Sequence, residues 1–223
     1  MGLILNIETS STNCSVSLSK NGETLVLKED NNKGYSHAEK LHVFIEDVID
    51  SSKFNKTQID AIAVSKGPGS YTGLRIGVSA AKGLCFALGK PLISVSTLQA
   101  LAHQVSDVKG LIVPMMDARR MEAYTAIFDA NYTIKRDIKA EILDASSFDK
   151  ILGSNKVYFI GSAVEKAKKV ISHPNAIFVD GHLPSASTMG GISDVKYKKS
   201  DMEDVAYFEP YYLKDFVAIK PKS

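Results

Sequence analysis

This chain has few features of exported proteins, of membrane-spanning proteins or of proteins that bind polyanions strongly. Its 223 residues include two cysteines and no tryptophan, and the formal net charge is only +2. Cys14 and Cys85 form no Cys-x-x-Cys motif, so we expect reduced thiols and a cytoplasmic protein. So small a charge argues against a strong overall attraction to nucleic acid or acidic lipid, and no apolar run is long enough to span a bilayer. Residues 1–8 lack the basic region of a signal peptide and are predicted to form a first strand.

Side-chain patterns that would indicate catalysis or metal binding are also lacking. No Ser/His/Asp or Cys/His set is supported by its spacing in the chain. His37 and His42 lie five positions apart in a predicted helix, which places them on different sides of the helix rather than toward one ion. We therefore predict no catalytic residue, no metal and no cofactor.

What the chain does contain is a glycine-rich loop between a buried strand and an unusually apolar helix. The strand is Ala61 to Ser65, the loop is Lys66 to Gly73 (KGPGSYTG), and the helix continues from Leu74 to Leu88 with only Arg75 and Lys82 charged. Such a loop can bind an anion with the N–H groups at the start of a helix, or it can be a tight turn that lets the helix pack.

Both interpretations of this loop stay open. It lacks the Gly-Lys-Ser or Gly-Lys-Thr end of a nucleotide-binding loop, and its proline removes one N–H donor. The residues that an anion or a nucleotide would contact are Glu8, Thr9, Ser10, Lys66, Gly67, Gly69 and Ser70.

The first half of the chain reads as three strands followed by alternating helices and strands. Alternation in Cys14 to Leu18 and an Asn21-Gly22 turn predict a hairpin whose next strand is Glu23 to Lys28. Ser36 is expected to cap the following helix, with Glu39 completing a capping box.

The second half repeats this order of elements more weakly. Its expected elements include a strand near Thr133 to Lys135 and helices at Ala145 to Leu152, Ser162 to Ile171 and Ser185 to Tyr197. The repetition predicts an α/β protein of two lobes, residues 1–104 and 105–223, with a cleft between them. A C-terminal tail that can pack back on the first lobe ends the second.

Two helices of the first half carry more apolar surface than one sheet face can cover. Helix Ser36 to Ile49 has an apolar stripe, and in helix Thr72 to Leu88 the small residues Gly73, Gly77 and Ala81 recur every four positions. This spacing lets another backbone approach closely, and we favour a partner subunit over purely internal packing. The residues predicted at this interface are His37, Leu41, Phe44, Ile45, Val48, Gly73, Arg75, Ile76, Gly77, Ala80 and Leu84.

Basic side chains offer one further surface. Arg119 and Arg120 follow a buried strand in the second half, and Arg75 lies in the first turn of the apolar helix. Guanidinium groups can bind RNA phosphates, or they can pair with acidic residues at the junction of the halves. All three arginines are therefore candidates for RNA contact, and ion pairing stays the alternative.

Several segments resemble the TsaB family, also called YeaZ. They are Ile4 to Ser11 (ILNIETSS), Cys14 to Leu18 (CSVSL), Gly67 to Gly77 (GPGSYTGLRIG), Asp117 to Tyr124 (DARRMEAY) and Pro210 to Lys214 (PYYLK). The matches span most of the chain, and the GPGS segment with its extension is specific. Asn6, Tyr71 and Lys214 stand where the family more commonly has Ala, Phe and Arg.

The resemblance implies an actin- and hexokinase-like fold of two duplicated lobes, the second reduced. It also implies a role in making threonylcarbamoyladenosine beside the anticodon of tRNA. Family members are non-catalytic paralogues of TsaD, the subunit that transfers the threonylcarbamoyl group. They pair with TsaD through first-lobe helices, a TsaE-like ATPase binds the pair, and tRNA is engaged through the complex. Members alone can form homodimers through the same surface.

The resemblance also implies that this chain does not catalyse the transfer. Catalytic relatives hold a metal with a His-x-x-x-His pair, whereas the matching stretch, Ser96 to His103, contains one histidine. We therefore expect an accessory subunit without peptidase activity. The alternative is an ATP-dependent small-molecule kinase of the same fold, which glycine-rich hairpins in both lobes would favour.

Overall fold

The first lobe is built on a mixed sheet of five strands. The computed structural model describes residues 2–31 and 36–213. The strands are β1 (Leu3–Glu8), β2 (Cys14–Lys20), β3 (Glu23–Asp30), β4 (Ala61–Gly67) and β5 (Leu92–Ser96). Their order across the sheet is β3-β2-β1-β4-β5, with the first three in the chain antiparallel and β4 and β5 parallel to β1. The helices of this lobe are α1 (His37–Asp50), α2 (Tyr71–Leu88) and α3 (Thr97–Ala102).

The second lobe repeats this topology. Its strands are β6 (Leu111–Asp117), β7 (Glu122–Phe128), β8 (Ile134–Ile142), β9 (Val157–Ile160) and β10 (Ala176–Val179). Their order, β8-β7-β6-β9-β10, is that of the first sheet with each strand replaced by its counterpart. Helices α4 (Asp149–Leu152) and α5 (Val164–Ala167) have four residues each, against 14 in α1 and 18 in α2. The predicted α/β class and the actin- and hexokinase-like arrangement, with a reduced second lobe, are confirmed.

Different parts of the chain cover the two faces of the first sheet. One face, with Leu5 and Ile7, packs against α1 and α2. The opposite face, with Ile4 and Ala63, packs against a 3₁₀ turn at Ala186–Thr188 and helix α6 (Met189–Lys198). Because successive side chains of β1 point to opposite faces of the sheet, this strand packs against both helix layers of the first lobe. Within the described ranges, no helix has the length and apolar character needed to cross a membrane.

The described C-terminal segment continues along the first lobe after α6. The Glu203 N–H donates to the Leu92 carbonyl at 2.8 Å, and the Tyr211 N–H donates to the Lys66 carbonyl at 2.7 Å. Lys82 on α2 donates to the carbonyls of Ala206 at 3.0 Å and Phe208 at 3.2 Å. The predicted lobe limits, 1–104 and 105–223, stay a prediction, whose boundary falls between α3 and β6. Lys214 lies outside the described residues.

Local chemistry explains where the first-lobe elements begin and end. Asn21 and Gly22 have φ of 55° and 90°, so the predicted hairpin turn is confirmed. The Ser70 side chain accepts from the Gly73 N–H at 3.2 Å and caps α2, while Gly89 ends that helix with φ 62°. The predicted capping box at Ser36 is wrong. The Ser36 hydroxyl donates to Asp30 at 3.1 Å and makes no bond to the helix.

The second-lobe predictions differ from the structure in their bounds. Strand β8 extends to Ile142, well past the expected strand near Lys135. The helix expected from Ala145 begins only at Asp149, because Phe148 has a left-handed φ of 69°. The helix expected over 162–171 ends at Ala167, where i+3 to i bonds from Lys169 and Val170 interrupt the helical pattern. The helix expected from Ser185 begins at Met189, after the 3₁₀ turn.

Candidate functional site

Helix α2 has one face packed inside the lobe and one face open to solvent. The inward residues are Gly73, Leu74, Gly77, Val78, Ala81 and Cys85. Thr72, Arg75, Ser79, Gly83 and Phe86 are exposed, and Phe86 has 89% of its surface accessible. The helix is therefore amphipathic in its packing although few of its residues are charged, and its outer face is the part that a partner could cover.

The repeated glycines of α2 serve contacts within the chain. A Cβ at Gly77 would lie 2.2 Å from the Thr9 hydroxyl oxygen, and one at Gly73 would lie 2.1 Å from the Thr9 carbonyl oxygen. These distances are far below any normal contact, so the glycines let α2 approach the turn between β1 and β2. The prediction that Gly73 and Gly77 face a partner backbone is thus corrected.

Four further residues predicted at the interface belong to the first-lobe interior. His37, Leu41, Ile45 and Val48 are all buried, and the His37 ring Nε2 lies 2.7 Å from the Ser11 carbonyl oxygen. The apolar stripe of α1 is the side that packs on the sheet, so a partner could not reach these side chains without unfolding the lobe. The predicted interface residues that remain accessible are Phe44, Arg75, Ile76, Ala80 and Leu84.

A shallow groove of about 760 Å³ runs along the open sides of α1 and α2. It is lined by His42, Tyr71, Thr72, Arg75, Ile76, Ser79, Ala80, Gly83 and Leu84. Val43 on α1 is 52% exposed, and Phe86 lies on the last turn of α2. We call the groove residues together with Val43 and Phe86 the outer face. Val43 and Phe86 were missed at the sequence level, although each lies off the buried stripe of its helix, and this offset was the available signal.

Aromatic side chains and one arginine close the outer face at the start of α2. Arg75 donates to the Tyr71 hydroxyl at 2.6 Å, and its guanidinium carbon lies 5.3 Å from the centre of the Tyr71 ring. The Tyr212 ring, from the C-terminal segment, lies 5.1 Å from the Tyr71 ring. Tyrosine and arginine are enriched at the energetically important positions of protein interfaces. This end of the face therefore has the composition of a docking site.

The glycine-rich loop is occupied by contacts to its own lobe. The Ser70 N–H donates to the Ser10 carbonyl at 2.7 Å, and a Cβ at Gly69 would lie 2.3 Å from that same oxygen. The Gly73 N–H is taken by the Ser70 hydroxyl. Donors that an anion would need are therefore used internally, so the geometry favours the tight turn over the anion site at Gly67, Gly69 and Ser70.

The turn between β1 and β2 is buried. Glu8, Thr9 and Ser10 are buried, and the Glu8 Oε1 accepts from the Ser10 N–H at 2.6 Å. Burial raises the pKa of Glu8, while hydrogen bonds from Ser10 and Ser65 oppose the change. Lys66 is only partly buried, and its carbonyl binds Tyr211 rather than a ligand.

The corresponding turn of the second lobe, between β6 and β7, is open and basic. Arg119 and Arg120 are exposed and have left-handed φ values of 70° and 46°. An arginine in this conformation costs on the order of 1 kcal/mol. Arg75 lies on α2 of the other lobe, and no described contact joins it to this turn. The three arginines predicted to contact RNA therefore do not form one described cluster.

The lone histidine of the stretch Ser96 to His103 is partly buried and packs against an aromatic ring. The His103 ring stacks on Tyr132 with centres 4.0 Å apart, and burial lowers its pKa. Among the residues that the structure describes, no group of three or more His, Cys, Asp or Glu side chains could hold a metal ion.

Comparisons with known proteins agree with this architecture. The family model of TsaD, tRNA N6-adenosine threonylcarbamoyltransferase, matches residues 33–221. The tRNA threonylcarbamoyladenosine biosynthesis protein TsaB of Haemophilus influenzae is 27% identical, covering 97% of this chain and 95% of the relative. TsaB of Buchnera aphidicola (strain Bp) is 32% identical over 75% of this chain and 78% of its own length. A transferase of Staphylococcus epidermidis is 29% identical, but the match covers 51% of that protein.

A solved structure shows the same fold. YeaZ from Pseudomonas aeruginosa has a TM-score of 0.80 at 23% identity, and the match covers 96% of this chain and all of that one. A second Pseudomonas aeruginosa structure, described as an uncharacterised protein with similarity to peptidase YeaZ, has a TM-score of 0.84 at 21% identity. With a family model matching most of its length and TsaB relatives of nearly the same extent, the chain belongs to the TsaB (YeaZ) family and carries the domain of the TsaD transferases.

Proposed function

We propose that this chain is a non-catalytic accessory subunit in the synthesis of threonylcarbamoyladenosine on tRNA. In this role it binds and stabilises a TsaD-like transferase subunit through the outer face of α1 and α2. The exposure of large apolar side chains on that face carries the proposal. Phe86 is 89% and Val43 is 52% accessible, and the groove on the same two helices is lined by Ile76, Ala80 and Leu84. Apolar surface of this kind, bordered by Arg75 and Tyr71, is typical of a docking site.

The residues found where a catalytic or nucleotide-binding site would be expected support an accessory role. The β1–β2 turn and the Gly-Pro-Gly loop bind each other through Ser10 and Ser70. The second-lobe turn carries Arg119 and Arg120 in place of the glycines of a phosphate hairpin, which disfavours the kinase alternative. His103 is stacked on Tyr132 rather than presented to a ligand.

The proposed partners are those that the family resemblance implies. A TsaD-like subunit is the principal occupant of the outer face, and a second copy of this chain occupies it when the partner is absent. A TsaE-like ATPase joins the assembled pair, and tRNA is engaged through the complex. Homodimer and heterodimer therefore compete for one face and cannot form there together.

The experiment is a titration of the full chain with its TsaD-like subunit. The double variant Val43→Glu/Phe86→Glu places two charges on the outer face, and we expect its Kd to rise at least tenfold, about 1.4 kcal/mol or more. Ile142→Glu is the matched control, because Ile142 is also a highly exposed apolar residue, 72% accessible, but lies on β8 of the second lobe. Equal Kd values for the double variant and the unmodified chain would refute the outer face as the interface.

A further inference from the structure

The β6–β7 turn holds two neighbouring arginines in an uncommon conformation. Seven described residues other than glycine have positive φ, and Arg119 and Arg120 are the consecutive pair among them. Asn21 and Asp107 in this set carry residue types that adopt this conformation readily, whereas the two arginines, like Tyr132, Phe148 and Ser200, do not. Strained residues that persist in a fold often mark functional positions.

Contacts beneath the turn hold it in place. The Lys166 side chain is only 11% exposed, and its ammonium group donates to the Asp117 carboxylate and the Arg120 carbonyl, each at 3.0 Å, and to the Glu122 carbonyl. The Asp117 carboxylate also accepts from the Arg119 N–H at 2.6 Å. A largely buried cation and an acidic side chain thus fix the backbone that carries both arginines, which reduces the cost of ordering them on binding.

The guanidinium groups of Arg119 and Arg120 have no bonding partner among the described residues. The chain has four arginines. Arg136 forms an ion pair with Glu141, and Arg75 donates a hydrogen bond to the Tyr71 hydroxyl. Within residues 2–31 and 36–213, neither Arg119 nor Arg120 makes a side-chain hydrogen bond or an ion pair. The alternative of ion pairing at the junction of the lobes therefore finds no support in the described contacts.

We propose that Arg119 and Arg120 form a contact site for the phosphate backbone of RNA, a proposal that rests on the proposed function in tRNA modification. Guanidinium binds phosphate oxygens through two parallel N–H donors, and it loses less hydration than ammonium does. Two adjacent arginines fit neighbouring phosphates of one strand, and such contacts position an RNA without reading its sequence. An acidic protein partner is the other polyanion that this turn could meet, and the experiment separates the two.

The test measures binding of a fluorescently labelled tRNA transcript to the full chain over a range of salt concentrations. We expect Arg119→Ala/Arg120→Ala to lower the affinity at least fivefold at low salt. The slope of log K against log salt should become shallower by about 1.5, since each phosphate contact contributes roughly 0.7–0.9. Lys109→Ala/Lys156→Ala is the matched control, because it removes two exposed positive charges at the opposite end of β6 and β9 and should leave both quantities unchanged.

A second variant separates binding from folding. Arg119→Gly/Arg120→Gly relieves both left-handed positions, so its melting temperature should not fall, yet its RNA affinity should drop as in the alanine variant. No RNA binding by the unmodified chain at low salt, or equal losses in the arginine and lysine variants, would overturn the proposal. Unchanged RNA affinity with weaker binding of the transferase subunit would overturn it in favour of a protein contact. The outer-face variants test the proposed function independently, because they should lose the transferase subunit and keep this RNA affinity.

Discussion

At the scale of single residues, Glu8 links the β1–β2 turn to the pH dependence of stability. Its carboxyl group is fully buried, and only part of the cost of desolvation is offset by the hydrogen bonds from Ser10 and Ser65. Burial therefore raises the pKa of Glu8 above the 4.5 that it has when exposed. The folded chain holds a proton on Glu8 at pH values where the unfolded chain has released it. The stabilising contribution of this proton is full below pH 4.5 and is lost as the pH rises through the folded pKa.

We predict that Glu8→Gln stabilises the chain progressively as the pH increases. Glutamine keeps the oxygen that accepts from the Ser10 N–H and never ionises. The variant therefore does not lose the stability that the unmodified chain loses when its buried carboxyl group ionises. Urea unfolding at several pH values from 4 to 8 measures this. The free energies of unfolding of variant and unmodified chain should diverge above pH 4.5. A Glu8→Gln variant that is less stable at pH 8 would contradict the burial argument.

At the scale of elements, the sequence predicts that an element is present and whether it is a helix or a strand. It predicts less well which side of the element faces the core. The β2–β3 hairpin and helix α2 follow from signals within a few residues, the Asn21-Gly22 turn and the apolar run after Ser70. The side of α2 that faces the sheet depends on Thr9, which is far away in the sequence, and no local pattern encodes that contact. The same limit applies to α1, where the apolar stripe predicted as an interface proved to be the core side. The helices of the second lobe are shortened by left-handed and 3₁₀ geometry that their periodicity does not show.

Two glycines of α2 distinguish internal packing from partner packing. We expect Gly77→Ala to destabilise the chain by about 1–3 kcal/mol, because its Cβ would overlap the Thr9 hydroxyl. Gly83→Ala is the matched control on the same helix. Gly83 is exposed, and a Cβ at this position would have no neighbour within 4 Å beyond its own stretch of helix. Alanine there should therefore stabilise the helix by about 0.5–1 kcal/mol.

Thr9→Ala provides the complementary change, since it removes the overlapping oxygen. The destabilisation caused by Gly77→Ala should be smaller in the Thr9→Ala background than in the unmodified chain, as thermal unfolding can measure. If Gly77→Ala keeps full stability but loses the transferase subunit, the glycine faces the partner after all, and the internal explanation fails.

At the scale of the whole molecule, a buried polar network joins the C-terminal part of the chain to the first sheet. The Ser193 hydroxyl on α6 donates to the Asn6 Oδ1 on β1 at 2.7 Å. The Asn6 amide donates in turn to Ser19 at 2.9 Å and Ser17 at 3.3 Å on β2. All four side chains are buried, so a broken bond here could not be replaced by water without opening the interface. Hydrogen bonds, in addition to apolar packing, therefore hold α6 at a defined position on the first lobe.

We predict that Ser193→Ala destabilises the whole chain by about 1–3 kcal/mol, because the Asn6 oxygen is left buried without its donor. Denaturant unfolding followed by far-UV circular dichroism and by tyrosine fluorescence, the chain having no tryptophan, measures the change. Both probes should report one transition in the unmodified chain, since α6 and the segment after it tie the C-terminal part to the first lobe.

A double-mutant cycle separates this bond from the other effects of the substitution. In an Asn6→Ala background the acceptor is already gone, so Ser193→Ala should cost less than about 0.5 kcal/mol there. Equal costs in the two backgrounds would mean that Ser193 acts only through local packing on α6. A cost confined to the tyrosine signal would mean that α6 detaches without unfolding the sheet of the first lobe. The cycle thus decides whether α6 is an integral layer of the first lobe or an attachment to it.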